Sequence, residues 1–158
     1  MLNAAANCLT RELTPGATLL VRGCLCLTII VSGLVLRGFG FGLGLSAFVV
    51  KYGGSMLWAT MGFLLVAMAA PVRSRWSVAL MSAAIAICVE LFRLVHAPWL
   101  DAFRLTMAGA LLLGRIFSAW NMLAYGAGIG LGMLVDRLAM AAFTKAPPSA
   151  RGLLGGPL

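Results

Sequence analysis

Apolar residues run almost unbroken along four stretches of this chain, at about 19–36, 56–70, 76–91 and 119–135, separated by glycine, proline and charged residues. A helix that crosses a bilayer needs about 20 mostly apolar residues, because each adds only 1.5 Å toward roughly 30 Å of hydrocarbon. The runs therefore predict spanning helices. After loops are subtracted, 158 residues allow four crossings, or at most five. The expected fold is all-α: a polytopic membrane protein, a bundle of about four transmembrane helices with a re-entrant or interfacial segment before the last.

The boundaries of these runs carry further information. The first is broken only by Arg22, near enough to one end to extend its guanidinium toward the interface. Gly38, Gly40, Gly42 and Gly44 then alternate with large apolar residues, which weakens a helix by roughly 1 kcal/mol each and predicts a pliable loop at the membrane edge. The second run is expected to start after Lys51-Tyr-Gly-Gly-Ser55 and to stop at Pro71, with Arg73 and Arg75 just beyond. A connection of only 71–75 makes the second and third helices antiparallel neighbours, with Trp58 and Trp76 as interfacial anchors.

From 92 to 117 polar and apolar residues mix too freely for a simple crossing. Pro98 is placed to open a short helix carrying Asp101 and Arg104, and the apolar stretch 105–113 suits a re-entrant piece better than a span. In the last run Gly126 pairs with Gly130, and Gly128 with Gly132, at a spacing of four that allows close helix packing. Neither glycine cluster fits a dinucleotide loop, because leucine stands where the third glycine is required. The division that follows is an N-terminal flank (1–18), a single transmembrane helical domain (19–138) and a disordered tail (139–158) rich in proline and glycine.

Composition agrees with a membrane solvent: 62% of residues are hydrophobic, 10% are charged and the mean hydropathy is +1.03. The net charge of +8 comes from Lys and Arg scattered singly between apolar runs, which points to lipid contact and argues against nucleic acid. Placing both termini in the cytoplasm puts Arg11, Arg22, Arg73, Arg75, Arg137, Lys145 and Arg151 inside and Arg37, Lys51, Arg93, Arg104 and Arg115 outside. The inner membrane of a bacterium is the expected location. Cys8, Cys24, Cys26 and Cys88 lack metal-ligand spacing and read as free thiols, and the N-terminus lacks the pattern of a cleaved signal peptide.

Candidate chemistry gathers in one place. Glu90 and Asp101, two of the four acids, lie in or beside the polar segment, together with Arg93, His96, Arg104 and Arg115. Glu90 and Arg93, like Asp101 and Arg104, are three apart, so each pair shares a helix face and the two pairs are expected to join in one ionic network. Such a network either pins the segment onto the bundle or offers arginines to a phosphate or carboxylate, with Glu90 or His96 moving a proton. His96 is the single histidine, so a multi-histidine metal site is excluded; no metal or cofactor is expected. No serine elbow or cysteine–histidine pair supports covalent catalysis.

The block Glu90-Leu-Phe-Arg-Leu-Val-His-Ala-Pro-Trp-Leu-Asp-Ala-Phe-Arg104, the stretches 111–117 and 125–136, and Lys51-Tyr-Gly-Gly-Ser-Met-Leu-Trp-Ala59 resemble the DUF2809 family of small bacterial membrane proteins. The resemblance covers about 30–138 and implies four or five helices of uncharacterised role, in a layout similar to VanZ-like proteins associated with glycopeptide resistance. Ser55, Arg93 and Asn121 depart from its pattern, standing where an acid, a glutamine and an acid are expected. The resulting expectation is a non-enzymatic protein that binds membrane lipids, specifically an anionic headgroup, or an envelope partner through 90–117. The alternatives are an enzyme or transport component for a lipid-linked phosphate, and a structural subunit that packs on a membrane partner or a second copy of itself.

Overall fold

The computed structural model describes residues 14–106, 109 and 118–145. Among these residues it holds five helices: α1 (Pro15–Phe39), α2 (Ala47–Ala69), α3 (Arg75–Phe92), α4 (Pro98–Leu105) and α5 (Ala119–Lys145). All but α4 are long and apolar enough to cross a membrane, so the chain is a multi-pass membrane protein. Residues 107–108 and 110–117, with Arg115 and most of the expected re-entrant piece, lie outside the described residues, as do Cys8, Arg11 and the tail from Ala146 onward.

Local chemistry sets the helix ends. Thr14 accepts from the amide of Ala17 at 3.3 Å, and Pro15 occupies the first helical position, where its missing N–H costs nothing. Ser46 caps α2 by accepting from Val49, and Ser74 caps α3 by accepting from Ser77. With a cap at Ser46, α2 starts well before the position expected from hydropathy and absorbs Lys51, Gly53 and Gly54. At Gly53 the space a side chain would fill is taken by Leu36 of α1. The glycine-rich stretch shrinks to a tight turn after Phe39, closed by Gly44 at φ +79°. At the other end of the chain, α5 runs to Lys145, well past the end expected near Val135.

Contacts fix the topology. Gly33 meets Leu57, and a side chain at Gly40 would strike Val50, so α1 and α2 are antiparallel. Ser55 meets Asn121, Thr60 meets Gly128 and Phe63 covers Gly132, so α2 and α5 run parallel in close contact. Glu90, near the end of α3, meets Ser118 and Tyr125 at the start of α5. The C-terminus of α1, the N-terminus of α2, the C-terminus of α3 and the N-terminus of α5 therefore share one end of the bundle, while Pro15 and Lys145 lie toward the other.

The interior is small and tightly packed: Phe63 and Leu64 are fully buried among Ala59, Ala67, Val78, Ala86, Tyr125 and Ile129. Leu27, Leu34, Leu80, Leu123 and Leu138 face outward, as they must where the surrounding solvent is lipid. Trp58 is not an interfacial anchor. It sits midway along α2, against the ring of Tyr125 at 5.8 Å between centroids, whereas Trp76 stands exposed at the start of α3.

A closed carboxylate site and its counterpart at the opposite end

The face that α5 turns inward is a single row at helical spacing. Asn121, Tyr125, Gly128, Ile129, Gly132 and Asp136 are its buried positions. Polar residues stand at both ends of the row and glycines in the middle. Gly128 lies so close to α2 that an added Cβ would collide with the carbonyl of Met56 and approach Ala59 at 2.9 Å; at Gly132 it would meet Phe63 at 2.9 Å. Thr60 donates to the Gly128 carbonyl at 2.8 Å across this contact. Gly126 and Gly130 meet nothing within 4 Å, so one of the two glycine rows, not both, forms the contact.

Glu90 occupies the polar end nearest the start of α5 and is 0% exposed. One carboxylate oxygen, Oε1, accepts from the Ser118 amide at 2.9 Å and from Asn121 Nδ2 at 3.2 Å. The other, Oε2, accepts from the Tyr125 hydroxyl at 2.8 Å and pairs with Arg93 Nη1 at 2.6 Å. Two carboxylate oxygens offer about four acceptor positions, and four donors fill them. Around them Ser55 donates to Asn121 Oδ1 at 3.2 Å, and the hydroxyls of Tyr52 and Ser118 stand 3.4 Å apart. Arg93 and Asn121, two of the three positions that depart from the resembled pattern, thus bind this carboxylate directly, and the third, Ser55, reaches it through Asn121. Desolvating a carboxylate at membrane depth is costly, and this ring of donors offsets that cost.

Asp101 and Arg104 form a separate cluster. Arg104, 3% exposed, donates to the carbonyl of Phe92 at 2.7 Å, which also accepts from the Val95 amide at 3.2 Å, and to the carbonyl of Val95 at 2.8 Å, just past the end of α3. It also binds Asp101 at 3.0 Å, and His96 Nδ1 lies 3.5 Å from the same carboxylate oxygen. The two pairs differ in direction: Glu90 points into the bundle toward α5, while Arg104, paired with Asp101, turns back to the end of α3. Sequence reasoning did not bring Asn121 and Tyr125 to Glu90, although their i, i+4 spacing in an apolar helix marks one inward face.

A second buried carboxylate terminates the row. Asp136, also 0% exposed, receives Arg22 Nε on Oδ1 at 2.7 Å, and Arg22 Nη2 at 3.3 Å and Arg75 Nε at 3.2 Å on Oδ2. Arg22 spends its remaining amino group on the Ala67 carbonyl at 2.7 Å. Arg22 therefore does not reach out to the interface as expected from its position; it is buried and ties α1 to α2 and α5.

Residues 44–129, more than half of the chain, match the model of a protein family of unknown function, DUF2809. The chain belongs to the DUF2809 family. The matched region holds every residue of the Glu90 site, whereas of the second carboxylate cluster it holds only Arg75 and Ala67. No curated protein and no solved structure is similar to this DUF2809 protein.

One consequence for the DUF2809 site can be measured. Tyr125→Phe removes one of the four donors to Glu90 but keeps the ring against Trp58, and should lower stability in detergent by about 1–2 kcal/mol. A midpoint equal to the parent's would show that the hydroxyl does not hold the carboxylate.

Proposed function

We propose that this protein is a non-catalytic, multi-pass protein of the bacterial inner membrane, with both termini cytoplasmic, whose polar segment at 90–117 binds an anionic lipid headgroup. The observation that carries this reading is α4. It is a short amphipathic helix on which Leu100 and Arg104 are buried while Trp99 is 70% exposed, with Phe103 and Leu105 also outward. An aromatic of this kind settles at headgroup depth. The acids of the segment are already paired, Glu90 with Arg93 and Asp101 with Arg104. Arg37, Lys51 and His96 are exposed at the same end of the bundle. The net attraction of this end is therefore for anions.

An enzyme or transport component for a lipid-linked phosphate is the less supported alternative, because a carboxylate with four bound donors must break a hydrogen bond before it can accept a substrate proton. A membrane partner or second copy is favoured by one observation, the outward face of α5 at Gly126 and Gly130, where close approach by another helix meets no obstacle.

The test is lipid retention. Protein extracted in mild detergent is expected to keep phosphatidylglycerol over phosphatidylcholine by native mass spectrometry, and the Arg37→Gln, Lys51→Gln double variant, which removes the exposed cations at the same end as this segment, to retain severalfold less of it, given about 1 kcal/mol per surface cation. Indifference to headgroup charge would defeat the reading.

A further inference from the structure

The opposite end of the bundle carries an unspent set of hydrogen-bond donors. Four arginines gather there, Arg22, Arg73, Arg75 and Arg137, and among the described residues Asp136 is the acid that faces them. Arg22 alone neutralises Asp136, gripping both carboxylate oxygens and sending its last amino group to Ala67. Arg75 is thus a second cation on a carboxylate already satisfied by the first.

Its geometry is the informative part. Arg75 binds Asp136 through Nε, and neither of its Nη groups has an acceptor among the described residues. Its side chain is 47% exposed while Asp136 is fully buried. The guanidinium is held through Nε, which leaves both terminal amino groups for another acceptor, and such a pair suits two oxygens of a phosphate. Trp76, the next residue, is exposed, and Val72 in the preceding turn is 96% exposed. These apolar neighbours set Arg75 at the level where headgroups begin. Arg73 and Arg137 are exposed at the same end, and their side chains have no hydrogen-bonding partner among the described residues. Among the described residues, positive charge at this end therefore exceeds what Asp136 compensates.

We propose that Arg75, braced by the buried Asp136 and supported by Arg73 and Arg137, forms a phosphate-binding site at the end of the bundle opposite the Glu90 site. The ligand is a phosphate ester or phosphate ion at the membrane surface, either the headgroup of an anionic phospholipid or a soluble phosphate. Asp136 is a positioning residue that aims the guanidinium and touches no ligand. This site is independent of the headgroup contact near α4, since it lies across the membrane from it.

The experiment reconstitutes the full chain into phosphatidylcholine nanodiscs with a photoactivatable phosphatidylglycerol and maps crosslinked peptides by mass spectrometry. Labelling is expected in the 70–76 turn, saturable by unlabelled phosphatidylglycerol. It should fall about tenfold in Arg75→Gln, the loss typical of a charge-assisted bond. Arg75→Lys should recover only part of it, because an ammonium cannot bind the carboxylate and offer a fork at once. If Arg75→Gln does not fold, the exposed pair Arg73→Gln, Arg137→Gln gives the second reading, a severalfold loss from removing two surface cations. Competition by millimolar inorganic phosphate assigns the site to soluble phosphate; saturable labelling indifferent to it assigns a lipid headgroup. Labelling of the turn that is unchanged by Arg75→Gln, or equal with a phosphatidylcholine probe, overturns the proposal.

Discussion

Gly128→Leu is expected to be among the most damaging single substitutions in the protein, at about 3–5 kcal/mol. The added Cβ would fall on the main-chain carbonyl of Met56 and against Ala59, and a backbone oxygen cannot rotate out of the way as a side chain can. To accommodate it α5 must move off α2, and that movement also breaks the bond from Thr60 to the Gly128 carbonyl. Gly126→Leu, two residues away on the outer face, meets nothing within 4 Å and should change stability by less than about 0.5 kcal/mol. Thermal midpoints of the two variants in the same detergent decide the matter. If they shift equally, the parallel packing of α2 on α5 is wrong.

Asp136→Ala should be nearly as severe, costing about 3–5 kcal/mol, because it leaves the buried Arg22 charge with the Ala67 carbonyl as its main support. Arg75 is half exposed and can turn to water, so the penalty belongs chiefly to Arg22. The useful control is a rescue. Replacing both partners, Arg22→Leu with Asp136→Leu, removes the desolvated charge altogether and should recover most of the lost stability. A double variant as unstable as Asp136→Ala would mean that Arg22 holds the helices by shape and hydrogen bonding more than by charge. Size-exclusion profiles and unfolding midpoints separate these outcomes.

The four spans were legible because lipid imposes one rule on every outward residue, and runs of apolar side chains state that rule openly. Pro98 as the opening of α4 was legible for a similarly local reason, the fit of proline to a first helical position. Arg22 was not, because a cation near a helix end can reach for headgroups or turn inward to a carboxylate, and the choice rests on Asp136, 114 positions away. The two glycine rows of α5 look alike at a spacing of four. What separates them is register: Gly128 and Gly132 share a face with Asn121, Tyr125 and Asp136, polar side chains that lipid would not accept, while Gly126 and Gly130 do not. The partners of Glu90 were hidden for a related reason, since asparagine and tyrosine at 121 and 125 announce themselves only after the helix is known to face inward.

The inward row of α5 also bears on how the chain is made. From Asn121 to Asp136 it spans about 22 Å, and it supplies partners for charges on helices that leave the ribosome first. Arg22 and Glu90 reach the membrane before Asp136, Asn121 and Tyr125 do. Until α5 arrives, the earlier helices carry polar groups with incomplete partners. The last span is in this sense a closing key: its arrival completes the pairing of both buried carboxylates in a single step.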